Sequence, residues 1–171
     1  MKIYYHSPIG IMELEGDEKG VRSCSFVSKK KKPARSETGE EGKEAAKTMK
    51  EALRQLDEYF KGQRQRFKVR LNLQGTEFQR TVWRSLQAIP YGQTRSYKEI
   101  AKVSGRPLAF RAAGGANHSN PVAIIIPCHR VIGADGSLTG FGAGLWRKKW
   151  LIEREKRALS VSPRYDNKNN E

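Results

Sequence analysis

Cysteine is scarce. The chain of 171 residues holds two, Cys24 and Cys128, too few for a disulfide framework, so a reducing, intracellular compartment is expected. Histidine is nearly as sparse, at three residues. No Cys/His cluster has metal-ligand spacing, so no metal site is expected. Long apolar runs are absent too, and nothing approaches the roughly 20 residues of a membrane-spanning helix. The opening stretch, Met1-Lys2-Ile3-Tyr4-Tyr5-His6, has no apolar h-region, so no signal peptide is expected. Acidic residues are outnumbered, 18 Asp/Glu to 33 Lys/Arg, for a net charge of +15. The imbalance is larger in residues 76–171, at 16 basic to 7 acidic, than in residues 1–75, at 17 to 11. Such a chain is drawn to polyanions, nucleic acid first. Charge alone, however, describes a basic soluble protein with no such partner equally well.

What is present reads as α+β: a small N-terminal α/β domain (sheet plus helix) over residues 1–74, a mostly helical domain with a helix-turn-helix over 75–157, and a polar tail over 158–171. Ile3 and Tyr5 alternate with polar residues, and Ser7-Pro8-Ile9-Gly10 marks a turn. Ile11–Glu15 is a second strand. Val21–Val27 is a third and carries Cys24, read as a packing residue with no base beside it. Residues 28–43, with Lys29-Lys30-Lys31-Lys32 followed by Pro33, form a solvated basic loop whose lysines can reach a phosphate backbone but more often only keep a surface soluble. From Glu44 to Phe60, Ala45, Met49, Leu53, Leu56 and Phe60 recur at helical spacing. Phe67, Val69, Leu71 and Leu73 alternate with polar residues as a half-buried strand. No chemistry is evident in this first unit.

The second unit opens with a capping box, Thr76-Glu77-Phe78-Gln79, ahead of a helix whose buried stripe is Phe78, Val82, Leu86 and Ile89. Pro90-Tyr91-Gly92 stops it. Ser96-Tyr97-Lys98-Glu99 is a second capping box, and its helix ends at Gly105. Pro107 suits the first position of the next helix, which carries Leu108, Ala109, Phe110, Arg111, Ala112, Ala113, Gly114, Gly115 and Ala116. Two short helices about a glycine turn make a helix-turn-helix pattern. The second is nearly bare of side chains, so it can lie against a nucleic-acid groove or pack tightly on another helix.

Next comes Asn120-Pro121, then the apolar run Val122–Ile126, which reads as a short strand buried on both faces and stopped by Pro127. Cys128, His129 and Arg130 follow. A neighbouring imidazole can take a thiol proton, and nearby positive charge stabilises the anion. From the Cys-His pair alone, a small core hydrophobe is the better reading. Its surroundings reverse that.

Pro127-Cys128-His129-Arg130-Val131 resembles the acceptor-cysteine signature of the O6-alkylguanine-DNA alkyltransferases, the methylated-DNA–protein-cysteine methyltransferases. Asn120-Pro121 is similar to that family's asparagine hinge. Gly75-Thr76, Phe78-Gln79, Val82-Trp83 and Ile89-Pro90-Tyr91-Gly92 are similar to its other landmarks. The match is firmest over residues 76–155 and looser over the rest. The resemblance implies direct, stoichiometric transfer of an alkyl group from O6-alkylguanine in double-stranded DNA, and from O4-alkylthymine, to Cys128, followed by self-inactivation. It makes Cys128 the nucleophile, His129 the base acting through a water, Glu155 the residue that orients His129, Asn120 a brace, and Tyr97 the residue beside the target phosphate. It places the helix carrying Ala109, Ala112, Gly114 and Gly115 in the minor groove, with Arg111 filling the place of the flipped base. It makes Val131, Phe141, Gly142 and Ala143 the base pocket. Phe141 stands where many members have Tyr, so a phenol hydrogen bond is lost, and the order Gly142-Ala143-Gly144 departs slightly from the usual loop. The N-terminal zinc ligands of some members are missing. No cofactor, no metal and no membrane partner is implied, and the protein is expected to be a monomer, cytoplasmic and nucleoid-associated. Two other readings stay open: a DNA-binding regulator without chemistry, and a Cys-His hydrolase, which needs an oxyanion hole and turns over repeatedly.

Overall fold

The computed structural model describes residues 1–29 and 39–161. Alternating side chains form three antiparallel strands, β1 (Lys2–Ser7), β2 (Gly10–Asp17) and β3 (Gly20–Val27), in the order β1-β2-β3. The turn predicted at Ser7–Gly10 is tied by Ser7, whose Oγ donates to Gly10 O and accepts from Ile9 N. A bulge at Glu15/Gly16 shifts the β2–β3 register.

Helix α1 (Glu40–Phe60) packs on this sheet through Ala45, Met49, Ala52 and Leu56. It begins four residues before the periodic apolar pattern does. Two glutamates at its start favour the helix N-terminus, so residues 40–43, read from sequence as loop, are helical. Most of the lysine loop lies outside the described residues.

The strand expected at 67–73 is not one. Burial does alternate there, but only a single parallel bridge forms, Val21 to Leu71, with Val21 N donating to Arg70 O and Asn72 N to Val21 O. The segment lies extended along β3 without a continuous ladder.

Helix α2 (Glu77–Gln87) starts at the Thr76/Gln79 capping box, and α3 (Tyr97–Val103) at the Ser96/Glu99 one; both boxes are closed reciprocally. In α2 the fully buried aromatic is Trp83, whose indole donates to Ala116 O at 2.8 Å, while Phe78 is half-buried beneath Arg106. Helix α4 (Phe110–His118) starts later than Pro107 suggests. Ala109 N donates to Arg106 O, so Pro107 and Leu108 sit in a tight turn, and Leu108 is 92% exposed, leaving nothing to bury by extending the helix. Two short parallel strands, β4 (Arg95–Ser96) and β5 (Val131–Ile132), precede α3 and follow Cys128. The last helix, α5 (Leu145–Ser160), takes in residues 158–160, which the sequence assigns to a tail; the remaining tail beyond 161 is outside the described residues.

One apolar cluster runs through both halves, from Met12, Leu14 and Met49 to Val82, Leu86, Ile126 and Leu151. The halves also share main-chain bonds. Cys24 N donates to Pro121 O and Ala123 N to Cys24 O, both at 2.8 Å, so β3 is joined directly to the segment that leads into Cys128. No helix among the described residues is long and apolar enough to cross a membrane.

Candidate active site

The run Val122–Ile126 is buried as its composition demands, but it is not a strand. Ile125 N donates to Ala123 O and Ile126 N to Val122 O, which folds the segment into a tight turn. Ile124 at its apex has φ 72. A β-branched side chain in the left-handed region costs on the order of 1–3 kcal/mol and persists only where the surroundings hold it. Asn120 supplies part of that hold: its Nδ2 donates to Ile126 O at 2.8 Å, and its Oδ1 accepts from Val122 N at 3.0 Å. Pro127 then delivers Cys128 as the first residue of a single 3₁₀ turn, Cys128–Arg130.

Burial raises the pKa of the Cys128 thiol above its ordinary value. The Asn120 carboxamide, the charge of Lys148 and the amides of Cys128 and His129 oppose the shift without cancelling it. The resting sulfur is therefore protonated at neutral pH and needs a base. Arg130 is not its counter-charge, contrary to the sequence expectation. The guanidinium turns away, donating from Nε to Glu155 Oε2 at 2.9 Å, from a terminal nitrogen to Glu155 Oε1 at 3.0 Å, and to Ile89 O at 2.7 Å. A carboxylate with the matching fork geometry holds the guanidinium more strongly than a thiol can.

Glu155 is the hub of a largely buried polar network. Besides Arg130 it accepts from Tyr59 Oη at 2.7 Å and Gly92 N at 3.1 Å, and its Oε1 lies 2.7 Å from His129 Nε2. Burial alone raises a carboxyl pKa, but His129 and Arg130 hold this one well below the usual range, so Glu155 is ionised. Burial lowers the pKa of His129, against the pull of Glu155. A neutral imidazole donating Nε2–H to Glu155 leaves Nδ1 as an acceptor, and Nδ1 has no protein partner. An imidazole held in one tautomer by a carboxylate can accept a proton at its free nitrogen.

Cys128 opens into a cavity of about 190 Å³ lined also by Asn117, His118, Asn120, Ala123, the loop Gly140–Ala143 and, from β3, Cys24, Ser25 and Phe26. The N-terminal unit therefore takes part in the site, through the cavity wall and through Tyr59. Beside the loop, Thr139 O accepts both Tyr97 Oη at 2.9 Å and Lys148 Nζ at 2.6 Å. Gly140 has φ 63, and a Cβ there would meet Tyr97 Oη at 3.1 Å, so a side chain at this position is disfavoured twice.

Lys148 is fully buried with no carboxylate within ion-pair distance among the described residues. Burial lowers its pKa to about 8, and the charge of a Cys128 anion pulls it back up. Removing that charge makes the thiolate harder to form. Lys148→Met is expected to slow alkylation of the Cys128 thiol by iodoacetamide about tenfold near pH 7, the equivalent of roughly one pKa unit in the thiol. The deficit should shrink above pH 8, where the native lysine itself loses its proton. Alkylation rates between pH 6 and 9.5 measure this, and an equal loss at every pH would make Lys148 a packing residue only.

The structure thus brings Cys128, His129, Glu155 and Asn120 together, with Phe141, Gly142 and Ala143 along the cavity. Val131 is fully buried in β5 and lies outside the cavity lining. On α4, Arg111, Ala112 and Gly115 are exposed, Gly114 faces the Tyr97 ring, and Ala109 is the N-cap. Sequence reasoning missed Tyr59, Asn117 and Lys148. Tyr59 and Lys148 were hidden because burial of a long polar side chain leaves no mark in local pattern. Asn117 directly follows the small-residue run, and its Nδ2 reaches toward Cys128 O at 3.4 Å.

Two family models cover almost the entire chain. The 6-O-methylguanine DNA methyltransferase, ribonuclease-like domain, matches residues 1–73, and the 6-O-methylguanine DNA methyltransferase, DNA binding domain, matches residues 77–157. The chain is 49% identical over 160 residues to a methylated-DNA–protein-cysteine methyltransferase of Methanosarcina barkeri, across 92% of this chain and 99% of the relative. A protein of the same name from Mycolicibacterium paratuberculosis is 48% identical over 156 residues, across 91% and 92%. The fold matches that of Mycobacterium tuberculosis OGT in complex with DNA, with a TM-score of 0.78 and 43% identity over 91% of this chain and 92% of that one.

Proposed function

Because this chain belongs to the 6-O-methylguanine DNA methyltransferase family and acts by direct alkyl transfer from DNA to a cysteine, we propose that Cys128 is the acceptor and that the Glu155–His129 pair is its base. His129 Nδ1, through a water, takes the thiol proton. The sulfur attacks the alkyl carbon, the new carbon–sulfur bond forms as the carbon–O6 bond breaks, and the guanine leaves with its oxygen as a carbonyl once the base has been protonated or hydrogen-bonded. Tyr97 is the candidate donor, giving up its bond to Thr139 O to do so. The carbonyl at Cys128 is a candidate to hold the exocyclic amine. O4-alkylthymine is a further substrate on the same chemistry. The thioether has no leaving route, so each molecule acts once. The protein works as an intracellular monomer on duplex DNA.

The observation that carries this reading is the placement of Cys128 in the cavity, with the Asn120 clamp on one side and the ionised Glu155 behind His129. Intact mass after incubation with duplex bearing O6-methylguanine tests it. One added methyl group, on the Cys128 peptide, is expected. Demethylated DNA far in excess of protein would point to a hydrolase, and no transfer to a binding module.

Docking is assigned to the smooth exposed face of α4, with Arg111 entering the base stack in place of the flipped nucleotide. Unstacking costs a few kcal/mol. Arg111→Ala is therefore expected to slow repair within duplex by roughly ten- to hundredfold while barely changing the reaction with free O6-benzylguanine. Equal losses on the two substrates would remove Arg111 from flipping.

A further inference from the structure

Gly140-Phe141-Gly142-Ala143 walls the cavity at Cys128, yet apart from Phe141 it has hardly any side chain with which to hold its own shape. Its near end is anchored at Thr139 O by Tyr97 and Lys148. Its far end is anchored by Arg147, in the first turn of α5. A terminal nitrogen of Arg147 donates to Ala143 O at 2.6 Å, and Nε donates to Ile9 O, in the β1–β2 turn, at 2.7 Å. The guanidinium lies over two aromatic rings, 4.7 Å from the centroid of Phe26 and 4.4 Å from that of Trp146. It also lies flush against Gly10, where a Cβ would come within 2.8 Å of it.

Two of the groups it grips, Ala143 and Phe26, line the cavity with Cys128. One belongs to the C-terminal loop and the other to the N-terminal sheet. A planar fork that bonds two carbonyls while stacking on two rings fixes the spacing between those walls, which a lysine ammonium cannot do. We propose that Arg147 is a specificity-determining residue that sets the width of the alkyl pocket, favouring a methyl substituent over one as large as benzyl.

This rests on the assignment of Cys128 as acceptor, so the test separates the two. Single-turnover transfer is measured by intact mass on two duplexes identical except for O6-methylguanine or O6-benzylguanine, so docking is the same in both. Arg147→Met is expected to raise the benzyl-to-methyl rate ratio on the order of tenfold, the scale on which pocket fit discriminates apolar groups. Arg147→Lys should raise it less. Trp146→Leu, a change at a half-exposed ring that leaves both hydrogen bonds in place, should shift the ratio in the same direction and keeps the test valid if Arg147→Met does not fold. A ratio that stays at the native value, or equal losses on both duplexes, overturns the proposal. Absence of methyl transfer by the native protein overturns the Cys128 assignment and the proposal with it.

Discussion

Cys128→Ala is expected to take up no methyl group from O6-methylguanine duplex and to bind that duplex about as well as the native protein, whereas Cys24→Ala still accepts one. Both cysteines are buried, and both border the same cavity, so position alone does not separate them. Their electrostatics do. Burial pushes the Cys24 thiol far above its ordinary pKa, with nothing opposing it; that sulfur stays protonated at any working pH. Cys128 has the Asn120 carboxamide, two backbone amides and the Lys148 charge arranged to favour its anion, and the thiolate is the nucleophile. Docking is the role proposed for α4, which neither substitution touches. Mass after reaction and duplex affinity by titration measure both halves of the expectation. A Cys24 variant that cannot be methylated, beside a Cys128 variant that can, would reverse the assignment.

Glu155→Ala should have the largest effect on stability. It strands Arg130 as a buried charge without its anion and leaves Tyr59 Oη, Gly92 N and His129 Nε2 without their acceptor. Breaking one side of a buried ion pair costs about 3–5 kcal/mol, a large share of the 5–15 kcal/mol that holds a typical domain together. Urea unfolding at pH 7 measures the loss, and a change below 1 kcal/mol would show that water replaces the carboxylate. The pH dependence has a definite sign. The folded-state pKa of Glu155 is depressed, so its contribution is present at neutral pH and is lost as pH falls below the ordinary glutamate value of 4.5. The gap between native protein and variant should therefore narrow in acid. His129, held below its ordinary 6.5 by burial, adds to the acid sensitivity of the native protein from that pH downward. Glu155→Gln keeps the shape but not the charge and should also slow transfer, because His129 loses the anion that stabilises its protonated form.

Features set by neighbours along the chain were legible before any coordinates. Both capping boxes close as their spacing predicts, and the three-stranded meander, the helix stripes and the Pro-Cys-His-Arg-Val signature are all local patterns. Hydrophobic periodicity and short-range hydrogen bonds carry that information within a few residues. The run Val122–Ile126 shows the boundary. Its composition determined that it is buried, but strand or turn depended on Asn120 gripping both ends and on β3 pairing with Pro121 and Ala123. The same holds for charge. The sequence places Arg130 beside Cys128, and only the fold decides that the guanidinium serves Glu155 and that the charge of a lysine 20 positions later favours the sulfur anion instead. Tyr59 reaches Glu155 across 96 residues. Composition and local pattern thus determined most of the elements and the basic character, and the resemblance of Pro127–Val131 to a family signature pointed to Cys128. Tertiary packing alone decided which buried polar groups meet, because their partners are chosen by the cost of leaving a buried charge or hydrogen bond unsatisfied, and that cost is set by whatever the fold brings within a few ångströms.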